Sequence, residues 1–393
     1  MNISVEQALD DLFQWCRARD FAGHDPFDAL NSSVFQATPF ARSKTARLLW
    51  SQLNKRSPVN LRPVIGVPAQ KNAKGVALFA LAALANHRRL RTNESEAEAR
   101  GLLTELIGLQ ITGYSGAAWG YNFDWQSRHF FAPQGTPMIV PTAFAARALL
   151  QASDTFQDKQ YLQIARSSCE FILHDLKRTV DTEDELCFSY SPIDQTCVFN
   201  ASMLAAETLA SVGVVTSEGD FCGLAVRAAR YVVKKQRDDG AWAYGVAANQ
   251  AWVDNFHTGY LLQSLSRIVQ CCPDANGFSS ALQRGYEFWR ARFFLADGWP
   301  KYYDDALYPA DTHSGAVAIL TLLELRHLDN EALPLAEKIA AWLLNNMRDR
   351  RGYFYYQRKR FYTVRAPFMR WSQAWTTYAL ARLLEESKKG THA

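Results

Sequence analysis

The stretch Gly240–Gln270, GAWAYGVAANQAWVDNFHTGYLLQSLSRIVQ, decides the fold. It opens on a glycine and aromatic rings, passes the polar group Asp254, Asn255, His257 and Thr258, and enters a run in which Leu261, Leu262, Leu265 and Ile268 keep helical spacing. The same order of parts returns as GWPKYYDDALYPADTHSGAVAILTLLEL, where His313, Ser314 and Gly315 match His257, Thr258 and Gly259 at 313 − 257 = 56 residues. A period near 56 is the length of two helices with their loops, so the chain reads as an array of helical hairpins.

Working outward from that stretch, six hairpins are expected: 41–54 with 73–87, 96–110 with 141–153, 158–178 with 199–212, 219–236 with 255–270, 279–294 with 312–328, and 332–348 with 372–387. Residues 1–40 stand apart as one helix over 4–19, striped by Ala8, Leu12, Phe13 and Trp15 and expected to pack outside, followed by a polar loop. Residues 41–390 hold the hairpins, and 1–393 is read as a single domain. The second helix of each pair, such as GVALFALAALA or NASMLAAETLA, is small and apolar almost all round, as a helix packed on several sides must be. The first helices, such as VRAARYVVKKQ, keep a charged face. The pattern predicts an all-α (α/α)6 toroid with an inner ring, an outer ring and an extra N-terminal helix.

Composition narrows the classes of function. With 393 residues and 48% hydrophobic content the chain is long enough for a large core. Lys plus Arg number 43 against 39 acids, without a basic block, so no nucleic acid is expected as partner. Seven cysteines without a CxxC pair indicate neither a disulfide framework nor a zinc site, and no metal or cofactor is expected. The N-terminal stretch lacks the features of a secretory signal and no apolar run reaches 18 residues without charges, so the expectation is a cytoplasmic protein with no membrane span. Nothing in the chain sets the oligomeric state.

Loop lengths place the functional end. Links from a second helix to the next first helix are short, whereas 111–140, 179–198, 237–254, 295–311 and 349–371 are long and gather at the face bearing the N-termini of the inner helices. Those N-termini favour an anion. The long loops carry WGYNFDWQSRHFF, CFSYSP, AWAYG, GWPKYY and GYFYYQRKRFY, rings suited to stacking on a sugar. Trp242, Trp299 and Tyr353, each first after a glycine, also suit plugs between hairpins. At the inner-helix starts, Asp254-x-x-His257 and Asp311-x-His313 set a carboxylate near an imidazole, as acid–base work requires. The same acids suit helix N-caps, with the histidines tying repeats together, and both readings stay open at this level.

The glycine-aromatic loop followed by a small-residue helix resembles the six-hairpin glycosidases and the polysaccharide lyase or uronate epimerase toroids, and also the repeats of prenyltransferases and terpene cyclases, over about Lys71 to Leu384. The segment Arg370-Trp371-Ser372-Gln373-Ala374-Trp375, followed by Tyr378 and Leu380, is similar to the W-x-R-G-Q-A-W helix start of unsaturated glucuronyl hydrolases, whose Arg and Trp contact a uronate. Ser372 stands where that motif has Arg. The terpene branch would need a DxDD acid motif, and the chain has none.

Together these readings lead to an enzyme acting on an anionic, uronic-acid-containing saccharide or glycan precursor by epimerisation, elimination or hydrolysis. Proton transfer is assigned to His257, His313, Tyr121 or Tyr302, and the carboxylate pair for hydrolysis to Asp124 and Asp254. Substrate contacts are assigned to Trp125, Arg128, Asn255, Lys301, Asp311, Arg358, Arg370 and Trp371. A non-catalytic toroid that binds a glycan or a protein partner, and a terpene cyclase or prenyltransferase-like enzyme, are the alternatives.

Overall fold

A computed structural model describes residues 3–390. In chain order its helices are α1 (Val5–Arg17), α2 (Ser33–Gln36), α3 (Lys44–Arg56), α4 (Ala73–Leu90), α5 (Asn93–Gly108), α6 (Ile139–Phe156), α7 (Lys159–His174), α8 (Phe199–Thr216), α9 (Gly219–Val233), α10 (Asn255–Cys271), α11 (Ser279–Phe293), α12 (Thr312–Glu324), α13 (Ala332–Asn346) and α14 (Trp375–Gly390). Helices α4, α6, α8, α10, α12 and α14 touch in that order, and α14 returns to α4, closing an inner ring. Around it α5 packs on α4, α7 on α6, α9 on α8, α11 on α10, α13 on α12 and α1 on α14. The chain therefore folds as an (α/α)6 toroid.

Burial follows the composition. Every residue of α4 from Ala73 to Asn86 is buried, whereas α5 buries only five positions, on its inward stripe. Helix α8 is long and apolar enough to span a membrane by length and composition, yet 78% of it is buried, because it lies within the ring. The short inner-to-outer links have a local cause: α4, α6 and α8 each end on a left-handed residue, Arg91, Gln157 and Ser217, which turns the chain into the next helix at once.

The pairing is shifted by one helix from that expected, each outer helix packing mainly on the inner helix before it, and the first hairpin differs further. The helix anticipated as outer partner of α4, here α3, packs instead on the turns Asp28–Asn31 and Pro39–Arg42 and on the Trp125–Gln126 strand, and it buries only Asn54. Its place in the outer ring is taken by α1. Gly352 shows why: at φ +96 it lies so close to α1 that an added Cβ would stand 2.9 Å from the Asp11 carbonyl oxygen, just as Gly240, at φ +90, presses on Arg284 of α11. The long loops also hold strands. Two hairpins, β1 (Trp125–Gln126) with β2 (Phe131–Ala132) and β3 (Arg178–Asp181) with β4 (Leu186–Phe188), precede a four-stranded antiparallel sheet. That sheet runs β5 (Lys301–Tyr303), β6 (Ala306–Asp311), β7 (Gln357–Arg358), β8 (Thr363–Val364) and joins two successive loops over the mouth.

Candidate active site

The long loops and the N-terminal ends of the inner helices enclose a cavity of about 690 Å³. Of the residues singled out in the sequence, Tyr121, Trp125, Arg128, Asp254, His257, Tyr302, His313, Arg370 and Trp371 line it. Helix α3 covers part of the opening through Leu48, Lys55 and Arg56.

Asp254 is both a cap and a partner. Its Oδ1 accepts from the backbone N–H of His257 at 2.9 Å, the third position of α10, and Oδ2 lies 2.6 Å from His257 Nδ1 and accepts from Trp252 Nε1 at 3.0 Å. Because a carboxylate only accepts, Nδ1 carries a proton, and in the neutral imidazole it is Nε2 that holds the lone pair. The imidazole is held between Tyr244 and Phe256, with ring centroids 4.6 and 4.0 Å away, and its side chain keeps 23% exposure. A general base would need such a pairing of carboxylate and imidazole.

His313 is different. Asp311 was expected to orient it, but the register of β6 on β7 sets Asp311 opposite Gln357. The Asp311 carboxylate accepts from Gln357 Nε2 at 2.6 Å, from Trp371 Nε1 at 3.3 Å, and from the Ser314 N–H at 3.1 Å as the cap of α12. His313 instead meets the Tyr260 hydroxyl at 2.6 Å through Nε2, while Nδ1 has no hydrogen-bond partner among the described residues. Burial, reinforced by Lys74 and Arg370, pushes this imidazole well below its usual range and keeps it neutral. Burial likewise lifts the Tyr121 and Tyr302 hydroxyls above the phenol value, so both stay protonated at neutral pH.

Five expected residues sit elsewhere. Asp124 accepts from the Gln134 N–H at 2.8 Å, outside the cavity. Asn255 turns to the outer layer, donating to the Lys301 carbonyl and accepting from Trp289 Nε1, both at 2.9 Å. Lys301 donates to the Arg292 and Asp304 carbonyls. Arg358 binds Asn346 and lies 5.4 Å from the Trp299 ring centroid in a separate surface recess. Asp311 is fully buried on Gln357 and Trp371, outside the lining. Trp242 acts as a plug, fully inside and bonded to the Val232 carbonyl at 2.9 Å.

Charge is the cavity's other property. Lys55, Arg56, Lys74, Arg128, Lys359 and Arg370 line it, against one carboxylate among the described lining residues, Asp254. Arg370 is held by Asp25 through two bonds of 2.5 and 2.7 Å, which burial makes rigid, and it lies 5.0 Å from the Tyr121 ring centroid. Lys55, over the Phe27 ring at 4.2 Å, is pushed down to about 8 by loss of water. Arg370 and Trp371 both reach inward because residues Met369–Ala374 wind as a π-turn ahead of α14. Sequence reasoning passed over Lys74 and Tyr260. The signals were present: a lone lysine opening an apolar inner helix, and a tyrosine three residues after His257 on the same helical face. Among the described residues no three His, Cys, Asp or Glu side chains cluster as metal ligands.

No protein-family model and no curated protein matches the chain by sequence. Solved structures match in fold. The cellobiose 2-epimerase from Bacillus thermoamylovorans B4167 aligns at 13% identity with a TM-score of 0.60, over 81% of this chain and 89% of that one. A sugar epimerase from a ruminal bacterium aligns at 12% and 0.62, over 82% and 90%. An unsaturated glucuronyl hydrolase specific for heparin aligns at 13% and 0.59, over 80% and 86%. At these identities the likeness is one of architecture, the (α/α)6 toroid.

Proposed function

We propose that the chain is a saccharide-processing enzyme of the epimerase, isomerase or lyase kind, moving a proton at a carbon next to the carbonyl or carboxylate of an anionic sugar. The observation that carries this reading is the pairing of His257 with Asp254 at 2.6 Å on the cavity wall, with Nε2 left as the base. Hydrolysis by two carboxylates fits less well. Asp124 is outside, and Asp254, the one carboxylate among the described lining residues, is committed to His257 and Trp252. Lys55, Arg56, Arg128, Lys359 and Arg370 on the lining, with the six helix N-termini, favour a ligand bearing a carboxylate, and a uronate supplies both the charge and the acidic C–H. The cavity volume lies within the usual range of small-molecule sites, about 300–1,000 Å³. Two of the structural relatives are sugar epimerases, which agrees with this reading.

The test is solvent exchange. The protein is incubated in deuterated water with a panel of uronates, glycans containing them and reducing sugars, and carbon-bound deuterium is followed by NMR. Incorporation that is lost in His257→Ala is the expected result. Release of reducing ends with neither carbon-bound deuterium nor the unsaturated uronate that an elimination leaves would make the protein a hydrolase and overturn the proposal.

A further inference from the structure

Lys74 opens α4, where Asn72 caps its backbone N–H at 3.1 Å, and its side chain runs into the floor of the cavity with 3% exposure. The ammonium position is walled by rings, Nζ lying 4.7, 5.1 and 5.2 Å from the centroids of Phe144, Tyr260 and Trp375. Its polar contact is the Tyr260 hydroxyl at 3.4 Å, and no carboxylate pairs with it among the described residues. Asp25, the acid that would serve, is engaged by both bonds of Arg370. A buried ammonium without a counter-ion is costly, so burial, and then the charge of Arg370, push Lys74 well below the usual lysine range. Both conditions that activate a lysine as nucleophile are met: a desolvated apolar pocket and a neighbouring cation.

We propose that the Lys74 amine is a covalent nucleophile that forms an imine with a free aldehyde or ketone of an anionic sugar. The nitrogen lone pair forms the N–C bond as the C=O π pair moves to oxygen. A proton leaves nitrogen and one reaches that oxygen through the Tyr260 hydroxyl, whose other neighbour, His313 Nε2 at 2.6 Å, is the second station of the relay. The oxygen departs as water when the C=N bond forms, so one amine and one carbonyl give one imine and one water. Once its nitrogen takes a proton back from the Tyr260 hydroxyl, the imine becomes an iminium, which acidifies the adjacent C–H that His257 would remove. The inference thus rests on the proton-transfer reading and narrows the substrate to sugars with a free carbonyl.

The experiment uses the whole chain with glyoxylate, the smallest anionic aldehyde, and cyanoborohydride near neutral pH, with carboxymethyl-lysine located by peptide mass spectrometry. Lys74 should be labelled at least about tenfold faster than the exposed Lys44 and Lys159. Tyr260→Phe should slow labelling of Lys74 several-fold while Lys44 is unchanged. Label on surface lysines with none on Lys74 overturns the proposal. Solvent-deuterium exchange on the same preparation separates the two readings: exchange retained in Lys74→Met removes the imine and leaves proton transfer standing. Selective labelling of Lys74 with no exchange for any sugar leaves the nucleophile standing and removes the proton-transfer reading.

Discussion

Asp254 and Asp311 occupy the same place in successive repeats, each capping an inner helix, yet only Asp254 reaches a histidine. The difference lies one layer up: Asp311 ends a strand whose neighbour presents Gln357, and the amide takes the carboxylate before His313 can. Capping and orienting can be separated at Asp254 by substitution. Asn caps a helix as well as Asp does, so Asp254→Asn should keep the thermal midpoint within a few degrees while removing the negative charge that fixes Nδ1–H. Turnover, read as deuterium exchange, should fall by on the order of a hundredfold, as in His257→Ala. Asp254→Ala loses the cap as well and should cost about 1 kcal/mol of stability in urea unfolding. Full exchange in Asp254→Asn would return the pair to a purely structural role and shift attention to Tyr260 and His313.

At the scale of elements, the inner ring was legible in the sequence because its helices are apolar all round and start on polar residues, a pattern that survives in α4, α8, α10 and α12 alike. The mouth was legible through loop length and aromatic content. The first outer helix was misplaced because 55 residues separate α1 from α4, from Ala18 to Asn72, and an inserted helix with its own stripe looks like the nearer partner. Lys301 and Arg358 were misplaced since the sequence shows that a loop is cationic but not which face of a two- or three-residue strand a side chain takes. Helix α3, the insertion, is held by few groups: Trp50 donates to the Ala29 carbonyl at 2.9 Å and stacks on Phe35, and Arg47 donates to Gln126. With one buried residue against fourteen in α4, it should open locally. Hydrogen exchange read by mass spectrometry should find its amides exchanging roughly a hundredfold or more faster than those of α4, and slower when a uronate or an acidic sugar occupies the cavity and engages Lys55 and Arg56. Equal protection of the two helices would make α3 a fixed wall instead.

The whole ring is fastened at the end opposite the mouth, where six parallel helices bring their carbonyl ends together and cations are favoured. Arg147 of α6 pairs with Glu207 of α8; Arg267 of α10 pairs with Glu207 and with Glu324 of α12; Arg326, just past α12, and Arg88 of α4 pair with Glu386 and Glu385 of α14. Arg88 also donates to Thr155 of α6 at 3.3 Å, so polar contacts pass through every inner helix and close on themselves. Glu207 joins three inner helices, α6, α8 and α10. Burial alone would push its carboxyl up, but Arg147 and Arg267, with a bond from Ser264, override that and hold it at about 2, below the ordinary 4.5. A carboxyl held lower in the folded state contributes stability that is complete above about pH 4.5 and is lost as pH falls from there toward 2. Breaking a buried pair from one side also strands the opposing charge, so Glu207→Gln should cost about 3–5 kcal/mol at neutral pH. The wild-type unfolding midpoint in urea should fall steeply between those two pH values, and the variant's more gently, since its joint is already neutral. Coincident pH profiles, or a variant as stable as wild type at pH 7, would mean that the ring is closed by apolar packing alone and that the ion network only fills its end.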